Sequence, residues 1–133
     1  MLIDDNKIDL FVHQRMLQNF DNNISVSMFS SPTLSIQYLE NIGKAANIEK
    51  ETTPDIILLD INMPELNGFQ VLKKFETMDV FYRNEIDVIM LSSSQSSIDL
   101  DKSKNTTLCK EYLTKPLTLE KIRTAFNSPP NIN

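Results

Sequence analysis

The sequence predicts a doubly wound α/β domain, in which five parallel strands form one sheet covered by helices on both faces. Short apolar runs alternate with helical patterns along the chain, which indicates repeated β-α units. The run Ile56–Leu59 shows no polar alternation, so both faces of its strand are predicted to be buried. Polar side chains directly follow several predicted strands, at the sheet edge where ligands bind in this class of fold.

Length and composition set the class of protein. The chain has 133 residues, of which 41% are hydrophobic and 23% charged, as expected for one globular domain. The net charge of -5 argues against unaided nucleic-acid binding and against docking on an anionic membrane. With only Gly43 and Gly68 as glycines, a Gly-rich phosphate loop is excluded.

Targeting signals are not evident in the sequence. Acidic residues begin at Asp4, so the N-terminus does not resemble a signal peptide, and no apolar run approaches the length of a membrane span. The single cysteine, Cys109, cannot form an internal disulfide and is interpreted as a small buried residue. We therefore expect a cytoplasmic protein.

The first β-α unit begins at Met1. Met1-Leu2-Ile3 predicts a short strand that ends at Asp4 and Asp5, and its shortness suggests that the strand continues upstream. Asn6 is the predicted N-cap of a helix. As the chain's one histidine, His13 is interpreted as a surface residue of that helix and not as a ligand. The helix is predicted to bury a stripe formed by Ile8, Phe11, Val12, Met16 and Phe20.

The second and third units follow. Ile24–Phe29 alternates and predicts a strand, and Ser31-Pro32 marks the start of a second helix. The central strand ends at Asp60, and Asn67-Gly68 turns the chain before a third helix. The predicted apolar positions are Leu34, Tyr38, Leu39 and Ile42 in the second helix, and Phe69, Leu72, Phe75 and Met78 in the third.

The last two units complete the pattern. A strand over Ile86–Leu91 ends at Ser92, and residues 98–104 are weakly patterned as a helix. A fifth strand over residues 108–114 precedes Lys115-Pro116. Thr118 is the predicted cap of a last helix carrying Leu119, Ile122 and Phe126. We expect the domain to span residues 1–127 and residues 128–133 to form a flexible tail.

A common topology for five β-α units is the flavodoxin-like strand order 2-1-3-4-5. It makes strands one and three neighbours, so that Asp4, Asp5 and Asp60 meet at one crevice. Ser92 and Lys115 then end the two adjoining strands.

This group of side chains favours phosphoryl chemistry. Three carboxylates without nearby Cys or His suit a hard cation, and Mg²⁺ in particular. Asp60 can act as a nucleophile towards phosphorus and form an aspartyl phosphate. The ammonium of Lys115 and the hydroxyl of Ser92 can each interact with a phosphoryl oxygen.

The chain resembles the receiver domain of bacterial two-component response regulators. The matching features, each at the end of its own strand or close to it, extend over nearly the whole chain. They are Asp4-Asp5, Asp60 within Leu58-Leu59-Asp60-Ile61-Asn62-Met63-Pro64, Gly68, Ser92 after Val88-Ile89-Met90-Leu91, Tyr112, and Lys115-Pro116.

The resemblance implies a role for each position. Asp60 resembles the phosphoacceptor, and Lys115 the phosphate-sensing lysine, followed by a cis peptide bond to Pro116. Ser92 resembles the switch hydroxyl, and Tyr112 the aromatic residue that turns inward with it. The implied Mg²⁺ ligands are Asp4, Asp5, Asp60 and the backbone carbonyl of Asn62.

Simpler interpretations of these residues stay open. Tyr112 can be an ordinary strand aromatic, Ser92 one member of a serine-rich loop, and Lys115 a solvated lysine. The sequence also departs from the family: Ser93 stands where Ala is common, and Asn105-Thr106-Thr107-Leu108 lacks the usual Gly-Ala. The region of the fourth helix, which belongs to the family's output face, is therefore the least defined.

The predicted function is that of a stand-alone phosphoacceptor rather than an enzyme, with slow self-dephosphorylation only. A histidine kinase or histidine phosphotransfer protein would be the donor, and an unknown downstream protein the target of a monomer or weak dimer. One alternative is a receiver-like scaffold that is never phosphorylated. Another is an aspartate-nucleophile phosphatase, which is disfavoured because Asn62 occupies the position of that family's second acid.

Overall fold

The computed structural model of the chain describes residues 1–44, 53–93 and 106–127. Within these ranges there are five strands: β1 (Leu2–Ile3), β2 (Met28–Phe29), β3 (Ile56–Asp60), β4 (Asp87–Ser92) and β5 (Cys109–Thr114). The same ranges contain five helices: α1 (Lys7–Phe20), α2 (Pro32–Lys44), α3 (Gly68–Glu76), α4 (Asp79–Arg83) and α5 (Leu119–Asn127).

The strands form one parallel sheet in the order β2-β1-β3-β4-β5. This order confirms the predicted flavodoxin-like fold class. Ile3 of β1 lies beside Leu59 of β3, and Asp60 lies beside Leu91 of β4. The carboxyl ends of the three central strands therefore reach the same edge of the sheet.

Both faces of the central strands are buried, as the lack of alternation in β3 predicts. Ile57 and Leu59 point into a core that α2, α3 and α4 cover, whereas Leu58 points into a second core beneath α1 and α5. All three side chains are at most 3% exposed. Burial on this scale excludes water from the strand that carries Asp60.

Side-chain caps fix where the helices begin. Asn6 accepts hydrogen bonds from the backbone N–H groups of Ile8 and Asp9, which confirms the predicted cap of α1. The hydroxyl of Ser31 caps α2 in the same way, and that of Thr118 caps α5. At α3, Asn67 and Gln70 form a reciprocal capping box.

The predicted apolar stripe of α1 is only partly correct: Met16 and Phe20 pack against the second core, whereas its first three residues do not. Ile8, Phe11 and Val12 are 74%, 58% and 43% exposed, whereas Leu10 and Leu17 are buried. Apolar residues lie on two faces of this helix, and packing against α5 selects the face with Leu10 and Leu17. Leu34 of α2 and Leu119 of α5 are exposed as well, contrary to the prediction.

The second strand is shorter than predicted. Only Met28 and Phe29 pair with β1, because β1 itself offers two residues and β2 lies at the sheet edge. The short helix α4, between α3 and β4, was not predicted by the sequence pattern. The helix predicted over residues 98–104 and the tail over 128–133 lie outside the described residues.

Two further sequence interpretations have structural counterparts. Cys109 is a buried cysteine outside any disulfide, as predicted, and burial raises the pKa of its thiol to about 11. Among the described helices, none combines the length and the apolar character needed to cross a membrane.

Candidate functional site

Three carboxylates meet at the carboxyl edge of the sheet. Because Ile3 pairs with Leu59, the chain leaves β1 at Asp4 directly beside Asp60 at the end of β3. One carboxylate oxygen each from Asp4, Asp5 and Asp60 lies within 4.8 Å of the others. Asp4 and Asp60 are buried and Asp5 is exposed, so the group opens to solvent on one side. The acids predicted to share a crevice do share it.

Asp60 is an acid in an unfavourable environment. Only 3% of the residue is exposed. Burial, followed by the negative charge of Asp4, raises the pKa of Asp60 to about 6, although Lys115 and the backbone N–H of Asn62 act in the opposite direction. Any further positive charge near Asp60 would stabilise its ionised form.

Lys115 connects the acids to one another. Its Nζ atom lies 3.0 Å from Oδ2 of Asp4, 2.8 Å from Oδ2 of Asp9 and 3.3 Å from Oδ1 of Asp60. Burial opposes the charged form, but the hydrogen bonds to Asp9 and Asp4 and the charge of Asp60 outweigh it and raise the pKa of Lys115. The peptide bond from Lys115 to Pro116 is cis, as the resemblance implies.

Asp9 is a site residue that the sequence analysis missed. It lies in the first turn of α1, and its contact with Lys115 is the shortest of the three. The available signal was its spacing, one helical turn after Asp5, which brings a further acid to the same end of the helix. An acid in a first helical turn is more often there for the helix dipole, so spacing alone does not distinguish the two roles.

His13 is buried, which contradicts its interpretation as a surface residue. It is 5% exposed, and a cavity of about 350 Å³ has His13, Asp9, Ser93 and Lys115 in its lining. Burial, and then the charge of Lys115, lower the pKa of His13, whereas Asp9 and Asp4 raise it.

The remaining predicted residues surround the acids. Ser92 ends β4, is fully buried, and its backbone carbonyl accepts a hydrogen bond of 2.7 Å from the N–H of Lys115. Asn62 is exposed, and its amide donates to the hydroxyl of Ser93 at 3.3 Å. Tyr112 of β5 pairs with Met90 of β4, two residues before the position at which Thr114 pairs with Ser92. The partly buried ring of Tyr112 packs on the core beneath α2 and α3.

The donor set fits a hard divalent cation. Asp4, Asp5 and Asp60 offer oxygen atoms only, which suits Mg²⁺ better than a thiophilic metal. Burial, and then the negative charge of Asp4, raise the pKa of Asp60, and a bound cation would offset both effects.

Sequence comparison identifies relatives of the whole domain. The model of the response regulator receiver domain matches residues 1–127. The chain is 28% identical over 124 residues to the two-component response regulator ARR7 of Arabidopsis thaliana, which covers 92% of this chain and 58% of ARR7. It is 31% identical over 93 residues to the chemotaxis protein CheY of Bacillus subtilis, covering 69% of this chain and 72% of CheY.

Structural comparison agrees with these relatives. A two-component response regulator from Cytophaga hutchinsonii superposes with a TM-score of 0.81 at 28% identity, covering 95% of this chain and 91% of that one. A response regulator receiver protein from Dyadobacter fermentans gives a TM-score of 0.74 at 28% identity, with 96% of each chain covered. The family match, the strand order and these two structures lead to one conclusion: the chain belongs to the family of response regulator receiver domains.

Proposed function

We propose that this domain is a phosphoacceptor switch, in which Asp60 accepts a phosphoryl group from a histidine kinase or a histidine phosphotransfer protein. Receiver domains of response regulators are signalling domains that interact with histidine kinases and downstream effectors. The observation that carries the proposal is the buried Asp60 carboxylate held against Asp4 and Lys115 at the carboxyl edge of the sheet.

The proposed step transfers a phosphoryl group from a histidine nitrogen of the donor to a carboxylate oxygen of Asp60. An Asp60 carboxylate oxygen attacks the phosphorus of phosphohistidine, forming an O–P bond as the N–P bond breaks. The imidazole nitrogen leaves with the bonding electron pair, and no oxidant or reductant is needed. The Asp60 carboxylate must be ionised to act as the nucleophile, and the nearby ammonium of Lys115 favours that state.

The residues that would hold Mg²⁺ are Asp4, Asp5 and Asp60, together with the backbone carbonyl of Asn62. When bound, the cation supplies positive charge that offsets the charge of the phosphoryl oxygens. Both oxygens of the Asp4 carboxylate accept hydrogen bonds. Lys115 donates to Oδ2 at 3.0 Å, and the backbone N–H of Asn6 donates to Oδ1 at 2.9 Å. These bonds fix the Asp4 carboxylate before any ion arrives.

The proposed switch uses Ser92 and Tyr112. In the phosphorylated state the Ser92 hydroxyl would donate to a phosphoryl oxygen, and the ring of Tyr112 would move inward. The position of Ser92 at the end of β4, next to the strand that ends at Asp60, supports this assignment. The surface around β4, β5 and α5 would then present a different shape to a downstream protein.

The donor would approach across the first turns of α1. Val12 and Asp9 line the cavity that also contains Lys115, and the exposed side chains of Ile8 and Phe11 lie on the same helix. A protein that carries phosphohistidine to Asp60 would cover these apolar groups. The proposal places this transfer in the cytoplasm, a compartment compatible with the reduced thiol of Cys109.

The test is incubation with acetyl phosphate and Mg²⁺, read by intact mass. The parent should gain one phosphoryl group that base and hydroxylamine remove, as expected of an acyl phosphate. Asp60→Asn should gain none. Asp55→Asn is the matched control, because Asp55 lies just before the opposite end of β3 and is exposed; it should be labelled like the parent.

Each other outcome assigns a different function. A parent chain that never gains the group supports the scaffold alternative. Release of many equivalents of phosphate per chain supports the phosphatase alternative. Labelling of Asp60→Asn at the parent's rate contradicts Asp60 as the acceptor.

A further inference from the structure

The ammonium of Lys115 has all of its donors engaged by carboxylates. An ammonium group carries three N–H donors. Asp4, Asp9 and Asp60 each place a carboxylate oxygen within 3.3 Å of Nζ. In the unphosphorylated state the ammonium is therefore held by hydrogen bonds to Asp4 and Asp9 and by an ion pair with Asp60.

Asp9 differs from the other two partners of Lys115. It is not one of the three clustered acids. Its side chain is 33% exposed, against 4% for Asp4 and 5% for Asp60. Its backbone N–H donates to Asn6 at 3.2 Å, so the N-cap of α1 fixes its position relative to β1.

We propose that Asp9 is a positioning residue that holds Lys115 in the unphosphorylated state and thereby restrains the phosphorylation of Asp60. This inference rests on the proposed function. Phosphorylation converts the Asp60 carboxylate into an acyl phosphate, so the contact of Nζ with Asp60 passes to the phosphoryl group. A second contact with the phosphoryl oxygens requires Nζ to leave Asp4 or Asp9. Releasing Asp4 would leave a buried acid with less compensation, which is costly. Releasing Asp9 costs little, because its carboxylate is then hydrated by water. Asp9 is therefore the partner from which Lys115 separates.

Charge acts in the same direction. The carboxylate of Asp9 lies 2.8 Å from the ammonium that would contact the phosphoryl group, so two anions would compete at close range for one cation. Replacing Asp9 by Asn removes the repulsion between the two anions and weakens the competing hydrogen bond, because an amide oxygen is a weaker acceptor for an ammonium than a carboxylate. If Asp9 instead oriented Lys115 towards the phosphoryl group, removing Asp9 would reduce phosphorylation.

The test compares Asp9→Asn with the parent and with Asp21→Asn. Asp21 follows the last residue of the same helix, and its variant removes the same charge while keeping an oxygen for the N–H of Asn23. With limiting acetyl phosphate and Mg²⁺, Asp9→Asn should raise the steady-state ratio of phosphorylated to unphosphorylated Asp60 by about two- to fivefold, as expected for the loss of a partly exposed ion pair. Asp21→Asn should match the parent, and Asp9→Glu should restore most of the restraint.

Two further measurements separate positioning from a structural effect. In a Lys115→Met background, Asp9→Asn should change the phosphorylated fraction by less than about twofold, because the residue through which it acts is gone. Beryllofluoride, a mimic of the phosphoryl group, should half-saturate Asp9→Asn in the presence of Mg²⁺ at a concentration about two- to fivefold lower than the parent needs. Thermal melting at a series of beryllofluoride concentrations measures this.

The outcomes distinguish the inference from the function on which it rests. A labelled parent with an unchanged or less phosphorylated Asp9→Asn variant overturns the restraint by Asp9 and leaves the phosphoacceptor intact. An Asp9→Asn effect of equal size in the Lys115→Met background overturns the route through Lys115. A parent that takes up neither the phosphoryl group nor beryllofluoride contradicts the proposed function itself.

Discussion

Gly68 and Asp60 approach so closely that no side chain fits between them. A Cβ atom on Gly68 would lie 2.7 Å from the backbone carbonyl oxygen of Asp60 and 2.8 Å from Cα of Ile61. The N–H of Gly68 donates to the carbonyl of Ile61 at 2.8 Å, which holds the start of α3 against the end of β3. The position of the candidate phosphoacceptor thus depends on a glycine eight residues later in the chain.

Gly68→Ala should therefore destabilise the fold and displace Asp60. The methyl group meets backbone atoms, which cannot rotate away, and we expect a loss of about 1 to 3 kcal/mol in the free energy of unfolding. Gly43→Ala is the control, because its Cβ would meet only Val80 at 3.7 Å. That variant should gain up to about 1 kcal/mol from helix propensity. Urea unfolding measures both, and equal effects would contradict the steric argument.

The fold could be predicted because local signals agree with the final topology. The runs in β3 and β4 lack alternation, and each is in fact buried on two faces. The acids predicted to meet do so, since the strand order alone brings Asp4 to Asp60. Strand ends are thus the part of the site that a sequence pattern can locate.

What the sequence could not supply is the face on which α1 packs. The helix has apolar residues on two sides, and the buried side includes His13, which gives no apolar signal. The contact between Asp9 and Lys115 joins residues 106 positions apart. Only the packing of α1 against the end of β5 creates it, so periodicity within α1 carries no information about it.

Mg²⁺ should stabilise the folded chain. Asp4, Asp5 and Asp60 are gathered only in the native state, so a cation that binds them raises the free energy of unfolding by about 1.4 kcal/mol at ten times its dissociation constant, and the melting temperature rises with it. Asp5→Asn should weaken this response with little cost to the fold, because Asp5 is exposed. Asp21→Asn serves as the control for net charge. Melting curves that millimolar Mg²⁺ leaves unchanged would count against the site.

The single histidine should titrate below its usual range. Burial and the charge of Lys115 lower the pKa of His13, against the opposing charges of Asp9 and Asp4. Because the chain has one histidine, its ring resonances in a proton NMR titration are unambiguous. Lys115→Met should raise the pKa of His13 and Asp9→Asn should lower it further. A parent value above 6.5 would show that the ring is solvated or that the acids dominate.

The same shift predicts the sign of a pH effect on stability. A histidine whose folded pKa is depressed contributes stability that is present above its unfolded pKa and is lost as pH falls through the folded value. Replacing His13 by Leu should reduce the part of the acid-induced destabilisation that occurs below pH 6.5. Chemical unfolding at a series of pH values measures this, and parallel curves for parent and variant would exclude the contribution.

Glu85 carries local backbone strain. Its φ of 52° lies in the left-handed region, and it is exposed between α4 and β4. Because that region is costly for residues with a Cβ, Glu85→Gly should stabilise the fold by up to about 1 kcal/mol. Glu85→Ala keeps the Cβ and should not. If the two variants have the same midpoint of unfolding, charge removal and not strain explains the change.

Removing the charge of Asp60 should stabilise the unliganded protein, although the same change abolishes its proposed activity. The folded pKa of about 6 lies above the ordinary value of 3.8, so the folded state holds the proton more tightly than the unfolded state does. The stability contributed by this group is therefore fully present below pH 3.8 and is lost as pH rises through 6. Asn at position 60 carries no charge, so the variant does not lose this stability as pH rises. In EDTA, the free energy of unfolding of Asp60→Asn should exceed that of the parent by about 1 to 3 kcal/mol more at pH 8 than at pH 4. Mg²⁺ should narrow the gap at pH 8, because the parent gains a cation that the variant binds less tightly. A difference between the two proteins that does not vary with pH would mean that Asp60 ionises in the folded chain as easily as in water.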